Sequence, residues 1–193
     1  MNRRTLLRTA VATVVVTACG SPAATPGGTA TKSPSPSPSA ASAPATNATV
    51  ELLKGGTFTF ALRPDKAPRT VANFARKSRA GDYDGTTFHR VVAGFVAQGG
   101  DPLSKTLPAG DVRLGTGGGN QETELSDLAF DKGAVGIARG PDINISNDFQ
   151  FFICIGECHN LNGQYTNFGL VVKGQDVADA VKIGDRIKTI KVQ

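Results

Sequence analysis

Residues 20–48 constrain this chain more than any other stretch, because they contain no large apolar side chain. Ser, Thr, Ala, Pro and Gly fill almost every position, and residues 33–39 read SPSPSPS. Such a segment cannot bury enough apolar surface to offset the conformational entropy lost on ordering. We therefore predict a disordered tether over 19–48, with a proline-rich ligand for a partner domain as the alternative. Residues 49–193 then form one domain, long enough to build a hydrophobic core.

Residues 1–18 have the layout of an export signal. Arg3, Arg4 and Arg8 precede an apolar run, Ala10–Val16, which is too short to span a bilayer as a helix. The four residues that end at Cys19, VTAC, resemble a bacterial lipobox, in which the signal is cut before the cysteine and the thiol carries a diacylglyceryl group. We therefore expect 1–18 to be removed and Cys19 to be lipidated. An ordinary cleaved signal with an incidental cysteine is the alternative.

The export route is left open by the same residues. The pair Arg3–Arg4, followed by Leu6, Leu7 and Arg8, resembles a twin-arginine signal. A general secretory signal is the alternative, because Asn2 stands where twin-arginine signals usually have serine or threonine. Either route predicts an extracytoplasmic protein held to the bacterial cell membrane by its lipid alone.

The basic charge of the chain lies in the N-terminal segment. Four of the 21 basic residues precede residue 49 and none of the 16 acidic residues does, which leaves 17 against 16 and a net charge of +1 for 49–193. Nucleic-acid binding needs a basic surface to contact phosphates, so composition gives it no support. A solute-binding lipoprotein is also disfavoured, because the domain is small and shows no two-lobed α/β pattern.

Many short β-rich runs and two helical stretches predict a mainly all-β fold. Thr49–Leu53 and Thr57–Arg63 flank Lys54-Gly55-Gly56 and read as a hairpin. Further predicted strands are Thr87–Val91, Phe95–Gln98, Ala134–Ala138, Phe151–Ile155, Asn167–Val172 and Arg186–Val192. Helices are predicted from Pro68 to Gly81 and over Gln175–Ile183. The pattern favours a barrel or sandwich with helical caps.

The stretch 86–101 is the most informative for function. It predicts two strands joined by a tight turn at Ala93-Gly94. Strand alternation places Phe88 and Arg90 on one face of the first strand. On the second strand the same rule pairs Phe95 with Ala97, and Val96 with Gln98. An arginine, a glutamine and several apolar side chains could therefore converge on one shallow binding site. Periodicity alone does not establish that they do.

Here the sequence resembles the cyclophilin family of peptidyl-prolyl isomerases. Residues 88–102, FHRVVAGFVAQGGDP, are similar to the family signature. Further matches follow the family order from about residue 49 to the C-terminus; they are PRTVANF (68–74), GDYDGTT (81–87), GAVGIAR (133–139), QFFI (150–153) and LNGQYTNFG (161–169). The resemblance implies an eight-stranded antiparallel β-barrel capped by two α-helices.

The resemblance also implies a role for each site residue. Arg90 is the principal catalytic side chain, with Phe95 and Gln98 beside it. The proline ring of the substrate lies among Phe95, Val96, Phe152, Leu161 and Tyr165, and the residues before the proline bind to Ala138, Arg139 and Gln150. No cofactor or metal is implied, and the partners are proline-containing polypeptides. We expect a monomer.

Such a catalyst has to favour a twisted peptide bond over a planar one. The barrier of about 18–20 kcal/mol arises because the nitrogen shares its lone pair with the carbonyl. In the twisted state the prolyl nitrogen keeps that lone pair and becomes a better hydrogen-bond acceptor. A guanidinium is permanently charged and offers rigid donors, so Arg90 suits this differential binding.

The remaining histidines, cysteines and phenylalanines of the domain are predicted to have structural roles. His89 is predicted to be a packed histidine on the opposite face of its strand, and His159 is not predicted to bind metal. Cys154 is predicted to be a buried hydrophobe in a strand and Cys158 to lie in a loop, with a disulfide between them as the alternative. Phe58, Phe60, Phe74 and Phe88 are predicted core residues.

Some segments depart from the family pattern. Phe149 stands where serine or glycine usually precedes QFFI, in a loop (142–149) about one residue longer than usual. The segment between Asp101 and Gly115 is also longer, and residues 115–119 are expected in a surface loop near the groove. Asn160 occupies a rim position where some relatives carry tryptophan, which predicts weak binding of cyclosporin-like inhibitors. A binding module or holdase with little turnover is therefore the competing function.

Overall fold

The computed structural model describes residues 45–193. The predictions of a signal over 1–18 and of a lipid on Cys19 lie outside these residues, as does the tether up to residue 44. The secondary-structure elements are β1 (Asn47–Leu52), β2 (Thr57–Leu62), α1 (Pro68–Arg79), β3 (Phe88–Val92), β4 (Val96–Gly99), β5 (Asn120–Glu122), β6 (Ala134–Arg139), β7 (Ile145–Cys154), β8 (Asn167–Lys173), α2 (Gln175–Asp179) and β9 (Ile187–Val192). None of the described helices has the length and apolar character needed to cross a membrane.

Eight strands form one curled antiparallel sheet in the order β3-β4-β7-β6-β8-β2-β1-β9. The two ends of this sheet approach each other, since Thr87 and Arg186 form an antiparallel bridge and the Phe88 N–H donates to the Asp185 carbonyl at 2.9 Å. The mainly β fold with two helices is therefore confirmed. The short strand β5 pairs with β7 and was not predicted, because its three residues are all polar.

The domain begins earlier than the sequence indicated. The predicted tether extends to residue 48, but Asn47 and Ala48 belong to β1, and Ala48 is fully buried opposite Phe60 and Val192. The Thr46 N–H donates to the Gln193 carbonyl at 2.7 Å. Small and polar residues give no strand signal of their own, so this start is fixed by pairing with the chain's other end.

Phenylalanines fill the inside of the curled sheet. Phe58, Phe60, Phe74 and Phe88 are at most 1% exposed, which confirms them as core residues. Phe74 projects from α1, and its ring centroid lies 5.2 Å from that of Phe168, so the helix closes one opening of the sheet. The burial of Phe74 holds α1 over the interior of the curled sheet. The outer face of the sheet is therefore not covered by this helix.

The first turn of α1 is stabilised from a distant loop. Pro68 occupies the start of the helix, and Ala67 before it has no side chain that caps. The Glu124 carboxylate instead accepts the backbone N–H groups of Arg69 at 3.0 Å and Thr70 at 2.7 Å. Although burial alone raises the pKa of Glu124, these hydrogen bonds outweigh it and lower the pKa.

The second helix is shorter than the sequence predicted. It ends at Asp179 rather than Ile183. The carboxylate of Asp185 accepts the backbone N–H of Lys182 at 2.7 Å, and this bond holds the chain in a turn. The turn that Asp185 closes at Lys182 thus takes the place of the last predicted helical turn. The four-residue spacing of Val177 and Val181 did not reveal this turn.

Candidate active site

A second apolar cluster lies on the outer face of the sheet, opposite the core. Val96, Phe152 and Cys154 point to this side, whereas their neighbours Ala97 and Ile153 point to the core, as strand alternation requires. Phe130 stacks on Phe152 with 5.6 Å between ring centroids. The rest of this outer cluster comprises Ala134 and Cys158, with Phe95, Leu161 and Tyr165 packed against it.

Glycine at position 136 permits this packing. A methyl group there would overlap the rings of both Phe152 and Phe130. Because Gly136 has no side chain, the two stacked rings can pack directly over its backbone and form an apolar floor.

The outer cluster forms the floor of a small cavity of about 220 Å³. Its lining residues are Arg90, Phe95, Val96, Gln98, Ala138, Arg139, Phe152, Leu161 and Tyr165. Thus the structure brings together nine of the ten predicted site residues, drawn from β3, the turn before β4, β4 itself, β6, β7 and the segment before β8. A cavity of this size accepts one ring rather than a large ligand.

A β-bulge turns Arg90 toward this cavity. Phe88 pairs with Gly99 and Arg90 with Gln98, so His89 is an extra residue on β3. The prediction that Phe88 and Arg90 share a face is therefore wrong: Phe88 is buried in the core, and Arg90 is exposed at the cavity. Simple alternation fails because the extra residue reverses the side on which the next side chain emerges.

Phe95 also lies on a different face from the one predicted. It belongs to the turn before β4, where Gly94 has φ 70° and the Phe95 N–H donates to the Val92 carbonyl at 3.0 Å. Its side chain packs with Val96 on the outer cluster, whereas Ala97 is in the core. Strand alternation does not extend into the turn, so the predicted pairing of Phe95 with Ala97 is wrong.

The tenth predicted residue, Gln150, lies in an adjoining cavity of about 310 Å³. The two cavities share Gln98, Ala138 and Arg139, so they form neighbouring parts of one groove. The Gln98 side-chain amide donates to Gln150 at 3.1 Å, and Gln150 in turn donates to the Gly117 carbonyl at 2.7 Å. Gln150 thereby fixes the orientation of Gln98 and ties β7 to the 115–119 loop.

Two residues that the sequence did not single out hold this loop. The buried Asp101 carboxylate accepts the backbone N–H groups of Leu103, Gly115 and Gly117. Asn147 donates to the Gly117 carbonyl at 3.0 Å and accepts the N–H groups of Phe149 and Gln150 at 2.8 and 2.7 Å. The position of Asp101 directly after two glycines was the one sequence feature that could have indicated its role. The hydrogen bond from Asn147 to Gly117 joins distant parts of the chain, so no local sequence pattern indicates it.

Phe149, which departs from the family pattern, packs against the core and Tyr83 and lines neither cavity of the groove. The ammonium of Lys77, only 5% exposed, lies 3.8 Å from the Phe149 ring centroid and 3.0 Å from the Asp148 carboxylate. The Tyr83 hydroxyl donates to the Phe149 carbonyl at 3.0 Å. The longer loop 142–149 is thus anchored to the α1 side of the domain, outside the cavity that Arg90 lines.

The two arginines of the groove differ in their partners. Within residues 45–193, Arg90 forms no ion pair, so its guanidinium is available to a ligand. Arg139 instead donates to the carbonyls of Gln164 at 2.8 Å and Gly140 at 2.9 Å, and its guanidinium carbon lies 4.5 Å from the Tyr165 ring centroid. Arg139 therefore shapes the groove, and Arg90 supplies its free donor.

The histidines lie outside the cavity. Both ring nitrogens of His89 are buried without a hydrogen-bond partner in the described part of the chain, and burial lowers the pKa of His89, which favours the neutral ring. The exposed His159 lies 2.6 Å from Asp131 and 3.1 Å from Glu157. These three groups lie close enough to share a cation, but they are exposed at the surface and line neither cavity.

The two cysteines of the domain are free thiols beneath the cavity. As predicted, Cys154 is buried at the end of β7 and Cys158 lies in the loop after it; Cys158 is also fully buried, which was not predicted. The Cys158 thiol donates to the Phe95 carbonyl at 3.2 Å. Burial is the largest cause that raises the pKa of each thiol, so both are held in the protonated form.

Comparison with known proteins gives one consistent result. The family model described as "Cyclophilin type peptidyl-prolyl cis-trans isomerase/CLD" matches residues 48–192. A probable peptidyl-prolyl cis-trans isomerase of Brucella suis is 43% identical over 143 residues, which is 72% of each chain. Peptidyl-prolyl cis-trans isomerase B of Bacillus subtilis is 40% identical over 144 residues, covering 72% of this chain and 92% of that protein.

Solved structures agree with these relatives. The crystal structure of a cyclophilin-type isomerase from Cryptosporidium parvum has a TM-score of 0.66 at 26% identity, and covers 77% of this chain and 98% of that one. A crystal structure of the same protein in the presence of the dipeptide Ala-Pro has a TM-score of 0.65. The match of the family model over nearly the whole described domain, together with the two bacterial relatives, shows that this chain belongs to the cyclophilin-type peptidyl-prolyl cis-trans isomerases.

Proposed function

We propose that this isomerase acts through Arg90, which binds the twisted prolyl bond more strongly than the planar one. The observation that carries the proposal is the position of an arginine without an ion pair in the described residues, beside a cavity that has an apolar floor and is sized for one ring. The apolar floor holds the proline ring while the preceding residue rotates. No bond is broken, so the reaction needs only differential binding.

The magnitude required of Arg90 is modest. The uncatalysed barrier of about 18–20 kcal/mol corresponds to isomerisation in tens to hundreds of seconds. If the guanidinium contributes about 4 kcal/mol in the twisted state, it accelerates the reaction roughly a thousandfold. A charged donor held beside the reacting bond is of the kind that supplies such a contribution.

The groove supports the division of roles among the other residues. The Gln150 contact orients Gln98 toward the cavity that contains Arg90. Ala138 and Arg139 line both cavities. A substrate peptide that has its proline in the smaller cavity would therefore pass over these two residues to enter the larger one. We assign the larger cavity to residues that precede the proline.

The decisive experiment for this function is a proline-limited refolding assay. Arg90→Ala should lose most of the acceleration that the wild type gives. Arg79→Ala, which removes an exposed arginine on α1 away from the groove, is the matched control and should keep it. Equal acceleration by wild type and Arg90→Ala would refute the proposed role of Arg90.

We further propose that the substrates are exported proteins and that a lipid on Cys19 holds the enzyme at the outer side of the cell membrane. The lipobox-like VTAC and the arginine-rich start support this. Cys19→Ser should release the protein from the membrane fraction. Retention of the variant in that fraction would contradict the anchor. A holdase without turnover is not favoured, because the relatives named above are isomerases.

A further inference from the structure

The charged residues that line the smaller cavity all have the same sign. Arg90 and Arg139 are basic, and none of the other lining residues is acidic. Neither arginine forms an ion pair within residues 45–193. The acidic residues Asp131 and Glu157, which adjoin the outer cluster in sequence, line neither cavity. The smaller cavity therefore presents an uncompensated positive charge to the peptide that enters it.

Arg139 is fixed at the boundary between the two cavities. Its Nε donates to the Gln164 carbonyl at 2.8 Å and its Nη1 to the Gly140 carbonyl at 2.9 Å, while the guanidinium lies over the Tyr165 ring. Neutral carbonyls orient a guanidinium without cancelling its charge. Its third nitrogen, Nη2, donates to no group in the described part of the chain. Because the side chain is already ordered, a carboxylate that contacts it costs little further entropy.

The residue that precedes the proline is the one that passes this boundary. Ala138 and Arg139 line both cavities, and the larger cavity is assigned to residues that precede the proline. When the proline occupies the smaller cavity, the residue before it, X, lies at Arg139. The residue before X then enters the larger cavity. The side chain of X is thus the one that the positive charge of the smaller cavity acts on.

The larger cavity has a different balance of charge. Arg139 and Asp142 both line it. The Asp142 carboxylate accepts the backbone N–H of Asn144 at 2.9 Å and, among residues 45–193, forms no ion pair. A side chain in the larger cavity therefore meets one positive and one negative charge, whereas the side chain of X meets positive charge alone.

We propose that the enzyme prefers substrates in which an acidic residue directly precedes the proline, and that Arg139 sets this preference. This inference rests on the proposed function, because it places the X–Pro bond in the same cavity. Exposed ion pairs contribute modestly, so the expected preference for Glu–Pro over Gln–Pro is about fivefold, equivalent to about 1 kcal/mol. The attraction acts equally on the planar and the twisted bond, so it should lower KM and leave kcat unchanged.

The test is the isomerisation kinetics of three peptides that differ only at X, followed by line-shape NMR at pH 7. X is Glu, Gln or Lys; Glu and Gln have nearly the same shape, and Glu is ionised at this pH. For the wild type, KM should be about fivefold lower for Glu than for Gln, and highest for Lys. In about 1 M salt the Glu-to-Gln ratio should approach one, because exposed charges are then screened within about 3 Å.

Substitutions at Arg139 locate the preference. Arg139→Gln should reduce the ratio to about two or less, the remainder coming from Arg90. A ratio measured within one variant cancels any general loss of activity. Arg79→Gln, which removes an exposed arginine of α1, is the matched control and should keep the wild-type ratio. A full fivefold preference in Arg139→Gln would overturn the inference.

Arg139→Lys separates charge from shape. Lysine keeps the positive charge but lacks the planar fork, so most of the preference for Glu should remain. If Arg139→Lys loses the preference as completely as Arg139→Gln, the packing of the side chain on Tyr165 rather than its charge sets it, and the inference is wrong.

Moving the acidic residue tests its position. A glutamate placed before X enters the larger cavity, where Asp142 offsets Arg139, so Glu and Gln should differ by less than about twofold there. Asp142→Asn should create a preference for Glu at this earlier position. Equal preference at both positions in the wild type, or no change in Asp142→Asn, would contradict the balance of charge on which the inference depends.

Failure of the inference and failure of the proposed function give different results. If the wild type accelerates isomerisation of the Gln peptide but favours the Glu peptide no more, the inference is wrong and the proposed function stands. If none of the three peptides is isomerised faster than without enzyme, the proposed function fails and the inference fails with it.

Discussion

Replacing Asn147 tests whether this one side chain stabilises the wall of the larger cavity. Asn147→Ala removes three hydrogen bonds at once: the donation to Gly117 and the acceptance from Phe149 and Gln150. At about 1 kcal/mol for each bond, the free energy of unfolding should fall by about 3 kcal/mol. For a domain of this size that corresponds to a decrease in Tm of about 6–12 °C.

Asn147→Asp is the matched variant, because an aspartate keeps both acceptor contacts and loses only the donor to Gly117. It should lose about 1 kcal/mol. Denaturant unfolding followed by circular dichroism measures both values. Since Asn147 also fixes the backbone of Gln150, Asn147→Ala should raise KM for an X–Pro peptide more than it lowers kcat. Equal stability of the Ala and Asp variants, or a loss below about 0.5 kcal/mol for Ala, would refute this reasoning.

Three further predictions follow from buried groups. Phe152→Ala should cost about 3–5 kcal/mol of unfolding free energy, because it leaves a cavity beside Phe130, and it should raise KM by removing the floor; unfolding curves and peptide kinetics check both. Because the folded pKa of Glu124 is lowered, its stabilisation is present above its unfolded pKa of about 4.3 and is lost as the pH falls through the folded value. Glu124→Gln should therefore flatten the stability profile below about pH 5, measured by unfolding at several pH values. In Cys19→Ser, the thiols of Cys154 and Cys158 should react with a thiol reagent slowly at neutral pH and rapidly after unfolding, since burial raises the pKa of each; fast reaction in the native state would contradict this.

Strands with clear alternation or β-rich composition were predictable from the sequence. The hairpin of β1 and β2 stands out because its buried side chains repeat with a period of two, whereas β6 and the end of β7 stand out as continuous apolar runs. The short strand β5 has three polar residues and forms only because β7 offers it an edge. Its existence depends on a partner that lies beyond the next strand in the chain, which a local pattern does not contain.

The residues that line the cavity were predicted better than the faces of the strands on which they lie. Nine of the ten residues reached one cavity because the family motifs carry them together, whereas alternation placed Arg90 and Phe95 on the wrong faces. A bulge and a turn each shift the phase of a strand by one residue, and neither is visible in a hydrophobic pattern. Asp101 and Asn147 were missed for a related reason: they bind backbone groups of distant loops.

The central claim is that Arg90 recognises the twisted bond rather than the planar substrate. Line-shape NMR on one X–Pro peptide yields both the Kd of the planar peptide and the rate of isomerisation for wild type, Arg90→Lys and Arg90→Ala. The account predicts that Arg90→Ala lowers kcat/KM roughly a thousandfold while Kd changes less than about tenfold, with Lys intermediate because it lacks the planar fork. A loss of binding as large as the loss of rate would contradict it.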